Sequence, residues 1–358
     1  MENSILPVHT GHETVQVCMD PATGLRAIIA VHDTRLGPAL GGVRMWNYAT
    51  EEEAQFDVLR LARGMTYKAA AAGLNLGGGK AVIMGDSRRD KSDALLRRFG
   101  EFVELLAGRY ITAEDVGIGT RDIGIISETT SHVAGLPGQS GDPSPFTAHG
   151  TFLSIKAGLK RATGSEELSG RKVMVQGTGH VGLALVRLLR KEGAVVFAHD
   201  VRDDSLRDAV VAGARLATAA EVYSRSVDVY APCALGATLN PETIPLLRCK
   251  VVAGAANNQL LDEDRDGLAL QRRDIVYVPD FVANAGGIIN ISVEREGGYD
   301  RDRALQLTEN IRNNVNRVFE IEDAEGLLPH QAAMRLAEIR LNRGPQPRAM
   351  SVHGTPLV

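Results

Sequence analysis

The sequence predicts an α/β protein built as two domains, and three observations carry that reading. Its 358 residues suit about two domains of ordinary size. From Lys172 onward, short apolar runs that read as strands alternate with helical stretches, as in a parallel sheet with crossover helices. Between Gly135 and Pro145 the chain reads Gly-Leu-Pro-Gly-Gln-Ser-Gly-Asp-Pro-Ser-Pro, a run that suits an interdomain linker. The expected division is 1–137 for the first domain and 138–327 for the second. A helix is expected at about 328–343, and a flexible tail at 344–358.

Composition narrows the class. Hydrophobic residues make up 44% and charged residues 23%, the usage of an ordinary globular protein with enough apolar material for two cores. A net charge of −4 without a basic stripe argues against a nucleic-acid partner. No stretch is apolar enough to span a bilayer, and Met-Glu-Asn-Ser-Ile-Leu-Pro lacks the regions of a signal peptide, so a cytoplasmic protein is expected. Cys18, Cys233 and Cys249 are scattered and odd in number, which suits reduced thiols better than a disulfide framework or a metal site.

In the first domain, Val15–Met19 and Leu25–His32 flank a turn at Asp20–Gly24 and read as an antiparallel hairpin. Gly37-Pro-Ala-Leu-Gly-Gly42 should interrupt regular structure. Thr50 before Glu51-Glu-Glu53 is an N-cap with acids in the first turn, and Phe56, Leu59 and Met65 continue a helical stripe toward Lys68. Gly77-Gly-Gly79 then reads as a loop that exploits glycine's freedom in φ, with Ala81–Met84 a short buried strand. A helix from about Ser92 to Ala107 presents Leu95, Leu96, Phe99, Phe102, Val103 and Leu106. Tyr110–Gly117 reads as a strand delivering Glu114 and Asp115 into a loop.

Two lysines stand out: Lys68 and Lys80, twelve positions apart among alanines and glycines. An ammonium in small, apolar surroundings is poorly hydrated, so burial lowers its pKa and a bound anion raises it. A solvent-facing pair after a glycine loop is the plain alternative for this stretch taken alone.

In the second domain Ser144 is the expected cap, and Pro145 the first residue, of a helix. Lys172–Gln176 reads as a strand, Gly177-Thr178-Gly179-His180-Val181-Gly182 follows at once, and Leu183–Lys191 is helical. The next strand, Ala194–His199, ends at Asp200, eighteen residues after Gly182. Strand, Gly-x-Gly-x-x-Gly, helix, and an acid after the next strand form the dinucleotide fingerprint. The glycines bring backbone to the pyrophosphate at the helix N-terminus, and Asp200 suits a ribose 2′-hydroxyl. Arg202 nearby could accommodate a 2′-phosphate, but Asp200 would repel one, so NAD is the expected cofactor. Strands at Val227–Tyr230, Val251–Ala253 and Ile275–Val278 follow. Their turns carry Asn258 and Asn284, whose amides suit a ligand or their own backbone equally well.

Assembled, the motifs resemble the glutamate/leucine/phenylalanine/valine dehydrogenases, most of all the leucine and valine enzymes. The resemblance runs from about Gly11 to Arg343. It rests on Gly37-Pro-Ala-Leu-Gly-Gly42, Ala62-Arg-Gly-Met-Thr-Tyr-Lys68, Gly77-Gly-Gly-Lys80, Ala113-Glu-Asp-Val-Gly117, Ala231-Pro-Cys-Ala-Leu-Gly236 and Asn284-Ala-Gly-Gly287. It implies an N-terminal α/β substrate domain and a Rossmann-like nucleotide domain, with the active site in the cleft between them and the C-terminal helix packed back on the first. It also implies a homo-oligomer acting on small molecules: an L-amino acid, its 2-oxo acid and ammonia.

By the same resemblance Lys68 holds the substrate α-carboxylate, Lys80 polarises the carbonyl or imine oxygen through a water, and Asp115 shuttles protons. Gly41, Gly42 and Asn284 would lie beside the substrate, and Thr147 and Asn258 near the nicotinamide. Leu40, Ala113, Ile288 and Ile291 would line the side-chain pocket. That lining is apolar, which implies leucine, valine or isoleucine as substrate, with phenylalanine or tryptophan as the alternative and an NAD- or amino-acid-binding protein without activity as the rival. Oxidising an amino acid needs a cation for the carboxylate, a base for the ammonium proton and an electrophile for the developing oxygen. Two lysines and an aspartate are the right types.

Overall fold

A computed structural model of the chain describes residues 11–136, 139–294 and 298–345. The expected domain boundary at 137/138 and most of the expected tail lie outside the described residues.

The first half is a six-stranded mixed sheet. β1 (Thr14–Asp20) and β2 (Leu25–Asp33) form the hairpin, its turn held by the Asp20 carboxylate accepting from the Thr23 amide at 3.0 Å. There follow β3 (Ala39–Leu40), β4 (Val43–Trp46), α1 (Glu51–Ala71), β5 (Gly77–Met84), α2 (Asp93–Glu104), β6 (Tyr110–Ile111) and α3 (Thr120–Ile126). The order is β1-β2-β5-β3-β6, with β4 also pairing with β5. Thr50 caps α1 as expected, accepting from the Glu53 amide.

Three expectations change here. The glycine run is not a loop: Gly77, Gly78 and Gly79 are the first residues of β5, and none of them has a positive φ. They are glycines because nothing larger fits. A Cβ on Gly78 would sit 2.0 Å from the Thr66 amide nitrogen, and one on Gly79 would sit 2.7 Å from the Tyr110 ring, so α1 rests directly on the strand. Phe56, assigned to the apolar stripe of α1, is 70% exposed, and the buried residues are Ala54, Val58, Ala62, Thr66, Ala69, Ala70 and Ala71. Sheet contact at this distance selects alanines, which periodicity of large residues does not reveal. Finally, Ala39–Leu40 is a strand where a break was expected, while β6 ends at Ile111, so Asp115 is carried by irregular chain.

The second half holds α4 (Ser144–Thr163), β7 (Lys172–Gln176), α5 (His180–Lys191), β8 (Val195–His199), α6 (Asp203–Val211), β9 (Arg215–Leu216), α7 (Glu221–Ser224) and β10 (Val229–Pro232). β11 (Val251–Val252), α8 (Glu263–Gln271), β12 (Val276–Tyr277), α9 (Asp280–Ala283), α10 (Gly286–Val293), α11 (Arg301–Glu325) and α12 (Pro329–Arg343) complete it. The sheet is wholly parallel in the order β12-β11-β10-β7-β8-β9. Counted within this half, that is the doubly wound 3-2-1-4-5-6 order, whose ligand crevice opens at the carboxyl ends of the first and fourth strands, here β7 and β10. Helix α4 starts one residue early, on Ser144, with Pro143 at the cap position. β4, β9, α3 and α6 to α11 had no counterpart in the sequence reading.

The two halves are tied together. Glu294, just past α10, accepts from the backbone amides of Gly135 at 2.8 Å and Ser140 at 2.7 Å. Helix α12 lies against α1 and α11.

Candidate active site

The two lysines are brought together by the close seating of α1 on β5. Residues two apart on a strand share a face. Gly78 faces Thr66, so Lys80 also projects toward the α1 side, and Lys68 lies just beyond Thr66 in the last turn of α1. That helix end favours a cation. Lys80 is only 6% exposed. Burial pushes both ammoniums down from the usual lysine value, Lys68 to about 8. For Lys80 the opposing pull is Asp115.

Asp115 Oδ2 lies 2.8 Å from Lys80 Nζ and accepts from Arg44 Nε at 3.1 Å. Burial works against this carboxylate's charge, but Lys80 and then Arg44 outweigh it and hold its pKa below the usual aspartate value. Arg44 in turn donates from Nη1 to Asp57 Oδ2 at 2.9 Å, which also accepts from the Tyr48 hydroxyl at 2.7 Å. A base kept ionised beside a desolvated ammonium is an arrangement able to move protons.

Facing Lys68 is the carboxyl edge of the second sheet. Lys68 Nζ donates to Asn257 Oδ1 at 3.2 Å, and the same oxygen accepts from Asn284 Nδ2 at 2.8 Å. Asn284 Nδ2 also donates to the Ala255 carbonyl at 3.1 Å. Both partners are acceptors, which fixes the amide's orientation and leaves Asn284 Oδ1 buried with no hydrogen-bond partner. A buried acceptor without a donor is costly, so the geometry is suited to a ligand N–H. Asp280, at the start of α9, accepts from the Gln259 amide at 2.9 Å. Burial raises its pKa, against the pull of the Gln259 amide and Lys68.

The other expected residues fall into place unevenly. Asn258 has φ +51°, a conformation asparagine tolerates, and its carbonyl accepts from the Ala237 amide; its neighbour Asn257 supplies the amide that meets Lys68. Thr147, near the start of α4, lies against Gly287, whose Cβ would come 2.9 Å from Thr147 Oγ1. Gly41 and Gly42 are crowded by backbone: Cβ atoms there would sit 1.8 Å from the Gly79 carbonyl oxygen and 2.2 Å from that of Glu114. Leu40, Ala113 and Ile288 are buried and Ile291 half-buried. Leu40 and Ile288 belong to one apolar cluster that runs through both halves, with Met65 and Ile291 packed against it.

Sequence reasoning missed Arg44, Asn257 and Asp280. Asp280 had a usable signal, an acid just past the carboxyl end of a parallel strand. Asn257 lies in the amide-bearing turn Ala255-Ala-Asn-Asn258, of which only Asn258 was singled out, and Arg44 had no signal, since its partner Asp115 lies 71 positions away.

At the nucleotide crevice the three glycines do three jobs. Gly177 has φ +94°, and a Cβ there would strike Ala234 at 2.7 Å. One on Gly182 would strike the Gly177 carbonyl oxygen at 1.9 Å, while one on Gly179 would meet nothing within 4 Å. The backbone is thus open at Gly179 and His180, where no side chain caps the first turn of α5. Val181 is half-buried there. Asp200 Oδ2 accepts from the buried Thr178 amide at 2.7 Å and Oδ1 from the Arg202 amide at 2.9 Å. An open helix N-terminus beside an anchored carboxylate fits a dinucleotide: amides for the pyrophosphate, Asp200 for a ribose hydroxyl.

The chain is similar to known proteins over almost its whole length. A leucine dehydrogenase of Bacillus subtilis is 51% identical over 336 residues, covering 93% of this chain and 92% of the relative. An L-tryptophan dehydrogenase of Nostoc punctiforme is 44% identical over 343 residues, 96% of this chain and 97% of that one. A crystal structure of L-tryptophan dehydrogenase from that organism superimposes with a TM-score of 0.84 over 93% of this chain and 96% of the other. Residues 10–132 match the Glu/Leu/Phe/Val dehydrogenase dimerisation domain and residues 200–344 the Glutamate/Leucine/Phenylalanine/Valine dehydrogenase domain: the chain belongs to this family of amino-acid dehydrogenases.

Proposed function

We propose that the protein is an NAD-dependent dehydrogenase of branched-chain L-amino acids, converting leucine, valine or isoleucine reversibly to the 2-oxo acid and ammonia. What supports the reading is the pairing of Lys80 with Asp115 and the meeting of Lys68 with Asn257, whose oxygen also holds Asn284, so that Asn284 Oδ1 is left a buried acceptor without a donor. Lys68 would bind the substrate carboxylate, displacing Asn257 from its ammonium. Asp115, kept ionised, would take a proton from the substrate ammonium. Lys80 would then stabilise the oxygen that develops when water adds to the imine carbon, and Asp115 would return a proton to the departing amine. NAD, held at Gly177–Gly182 and Asp200, supplies the acceptor for the Cα hydride.

Leu40, Ala113, Ile288 and Ile291 offer no cation to a second carboxylate, so glutamate should be a very poor substrate: burying an unpaired carboxylate costs at least ~3 kcal/mol. One methylene in such a pocket discriminates by only about 1–3 kcal/mol, so activity on the three aliphatic substrates should overlap. The similarity to an L-tryptophan dehydrogenase supports an aromatic substrate as the second reading.

We also infer a domain division near residues 137–138, a cytoplasmic homo-oligomer, and the first domain as the surface through which subunits meet, as the name of the matching domain suggests. The function is tested by NADH formation with purified protein, NAD and a panel of L-amino acids at alkaline pH. Highest kcat/KM on leucine, valine or isoleucine is expected. Preference for phenylalanine or tryptophan overturns the substrate, and no turnover with any amino acid overturns the enzyme.

A further inference from the structure

Asp115 is approached by two cations at one oxygen, and only one of them belongs to the residues assigned to chemistry. Lys80, on β5, and Arg44, on β4, both meet Oδ2. Neither bond engages Oδ1. An aspartate serving as a base must present one oxygen to its proton donor in a fixed direction, and a single ammonium, free to swing on a flexible stem, does not fix it. The planar guanidinium of Arg44 is itself held: Nη1 is bonded to Asp57 Oδ2, and Asp57 is bonded to the Tyr48 hydroxyl. The chain Tyr48–Asp57–Arg44–Asp115 therefore links α1 to the loop that carries the base.

We propose that Arg44 is a positioning residue, which aims Asp115 through Nε and keeps it ionised, with Asp57 and Tyr48 holding the guanidinium in register. The proposal rests on the assignment of Asp115 as the base. Charged and titratable groups around Asp115 are Lys80 on β5, Arg44 on β4, Lys68 and Asp57 on α1, and Tyr110 on β6. Removing Arg44 takes away one of the two cations in direct contact. After Lys80, the Arg44 charge helps hold the pKa of Asp115 below the usual aspartate value, so its loss should raise the pH at which the base becomes available. Asp57, only 15% exposed in its side chain, would keep the Tyr48 hydroxyl and the 3.5 Å contact with Arg60 but lose its link to Asp115, which is why the aim would be lost with the charge.

The test is the pH profile of kcat/KM for L-leucine with Arg44→Gln, Arg44→Lys and Asp115→Asn, each checked for NAD binding. Arg44→Gln should lose about tenfold more activity on the acid limb than on the alkaline plateau, while NAD binding is kept. Arg44→Lys, which restores the charge without the fork, should return the acid limb toward wild type while kcat stays low. An acid limb unchanged in both Arg44 variants, with Asp115→Asn inactive, overturns the role of Arg44 alone. Full activity in Asp115→Asn overturns the base assignment and the proposal with it. Should Arg44→Gln fail to fold, Arg44→Lys decides: wild-type kcat in that variant shows that the fork is not needed and overturns the positioning role.

Discussion

Lys68 Nζ and Asn257 Oδ1 lie 3.2 Å apart, joining the last turn of α1, on the first sheet, to the loop after β11 on the second. The contact places a cation of one half at the carboxyl edge of the other, where a parallel α/β sheet presents its ligands. It is also a neutral partner for an ammonium that burial has left easy to discharge.

That ammonium gives a pH dependence. With its pKa at about 8, Lys68 is charged below that pH and neutral above it, and a carboxylate needs the charged form. The inhibition constant of a non-reacting carboxylate such as 4-methylpentanoate should be flat below pH 8 and weaken by about tenfold per unit above it. Binding that is constant from pH 7 to 10 would contradict the assignment of Lys68. For folding the sign is separate: the unfolded lysine keeps its proton to about 10.5, so between the two values the folded state binds fewer protons, and this group's contribution to stability rises with pH.

Lys80→Ala should lower kcat by at least about a hundredfold, the usual loss when one stabiliser of a developing oxyanion is removed. NAD affinity should be unchanged, because Lys80 sits on β5 of the first sheet. Kinetics together with a titration of NAD checks this. An equal fall in both would mean that the fold, not the chemistry, had been damaged.

Asp200 bonds both the Thr178 and Arg202 amides. If Asp200 reads the ribose as proposed, Asp200→Ala removes both a hydroxyl acceptor and a charge that repels a 2′-phosphate. NAD affinity should fall about tenfold, the scale of one charged hydrogen bond, and NADP affinity by less. An unchanged NAD/NADP ratio would mean that another residue reads the ribose.

Gly78→Ala should destabilise the protein by about 3 kcal/mol or more, beyond ordinary overpacking, because the new Cβ would sit 2.0 Å from a backbone nitrogen of α1. Thermal unfolding reads this directly. An unaltered Tm would show that α1 can lift from β5 at little cost.

The fold was legible where a local pattern carries it. The hairpin at Thr14–Asp33, the cap at Thr50 and the fingerprint at Gly177–Gly182 are set by neighbours in the chain. Lys68, Lys80 and Asp115 stood out through unusual composition and through resemblance, and the structure places Asp115 2.8 Å from Lys80. The glycine run was misread because glycine's two properties, freedom in φ and absence of Cβ, look the same in a sequence; only the proximity of Thr66 and Tyr110 distinguishes them. Phe56 was placed inside because a large apolar residue in a helical stripe normally is, yet alanines fill that interface. Arg44 acts across the fold and no local spacing announces it, while the turn at Ala255–Asn258 shows two adjacent asparagines and only the fold tells which of them meets Lys68.

The most direct test is to incubate the protein with L-leucine and NAD and quantify NADH, ammonia and the 2-oxo acid together. The three products should form in equal amounts, and all three should form at least about a hundredfold more slowly in Lys80→Ala. If NAD binds but no L-amino acid yields a 2-oxo acid, then Lys68, Lys80 and Asp115 do not form a deamination site with the second sheet.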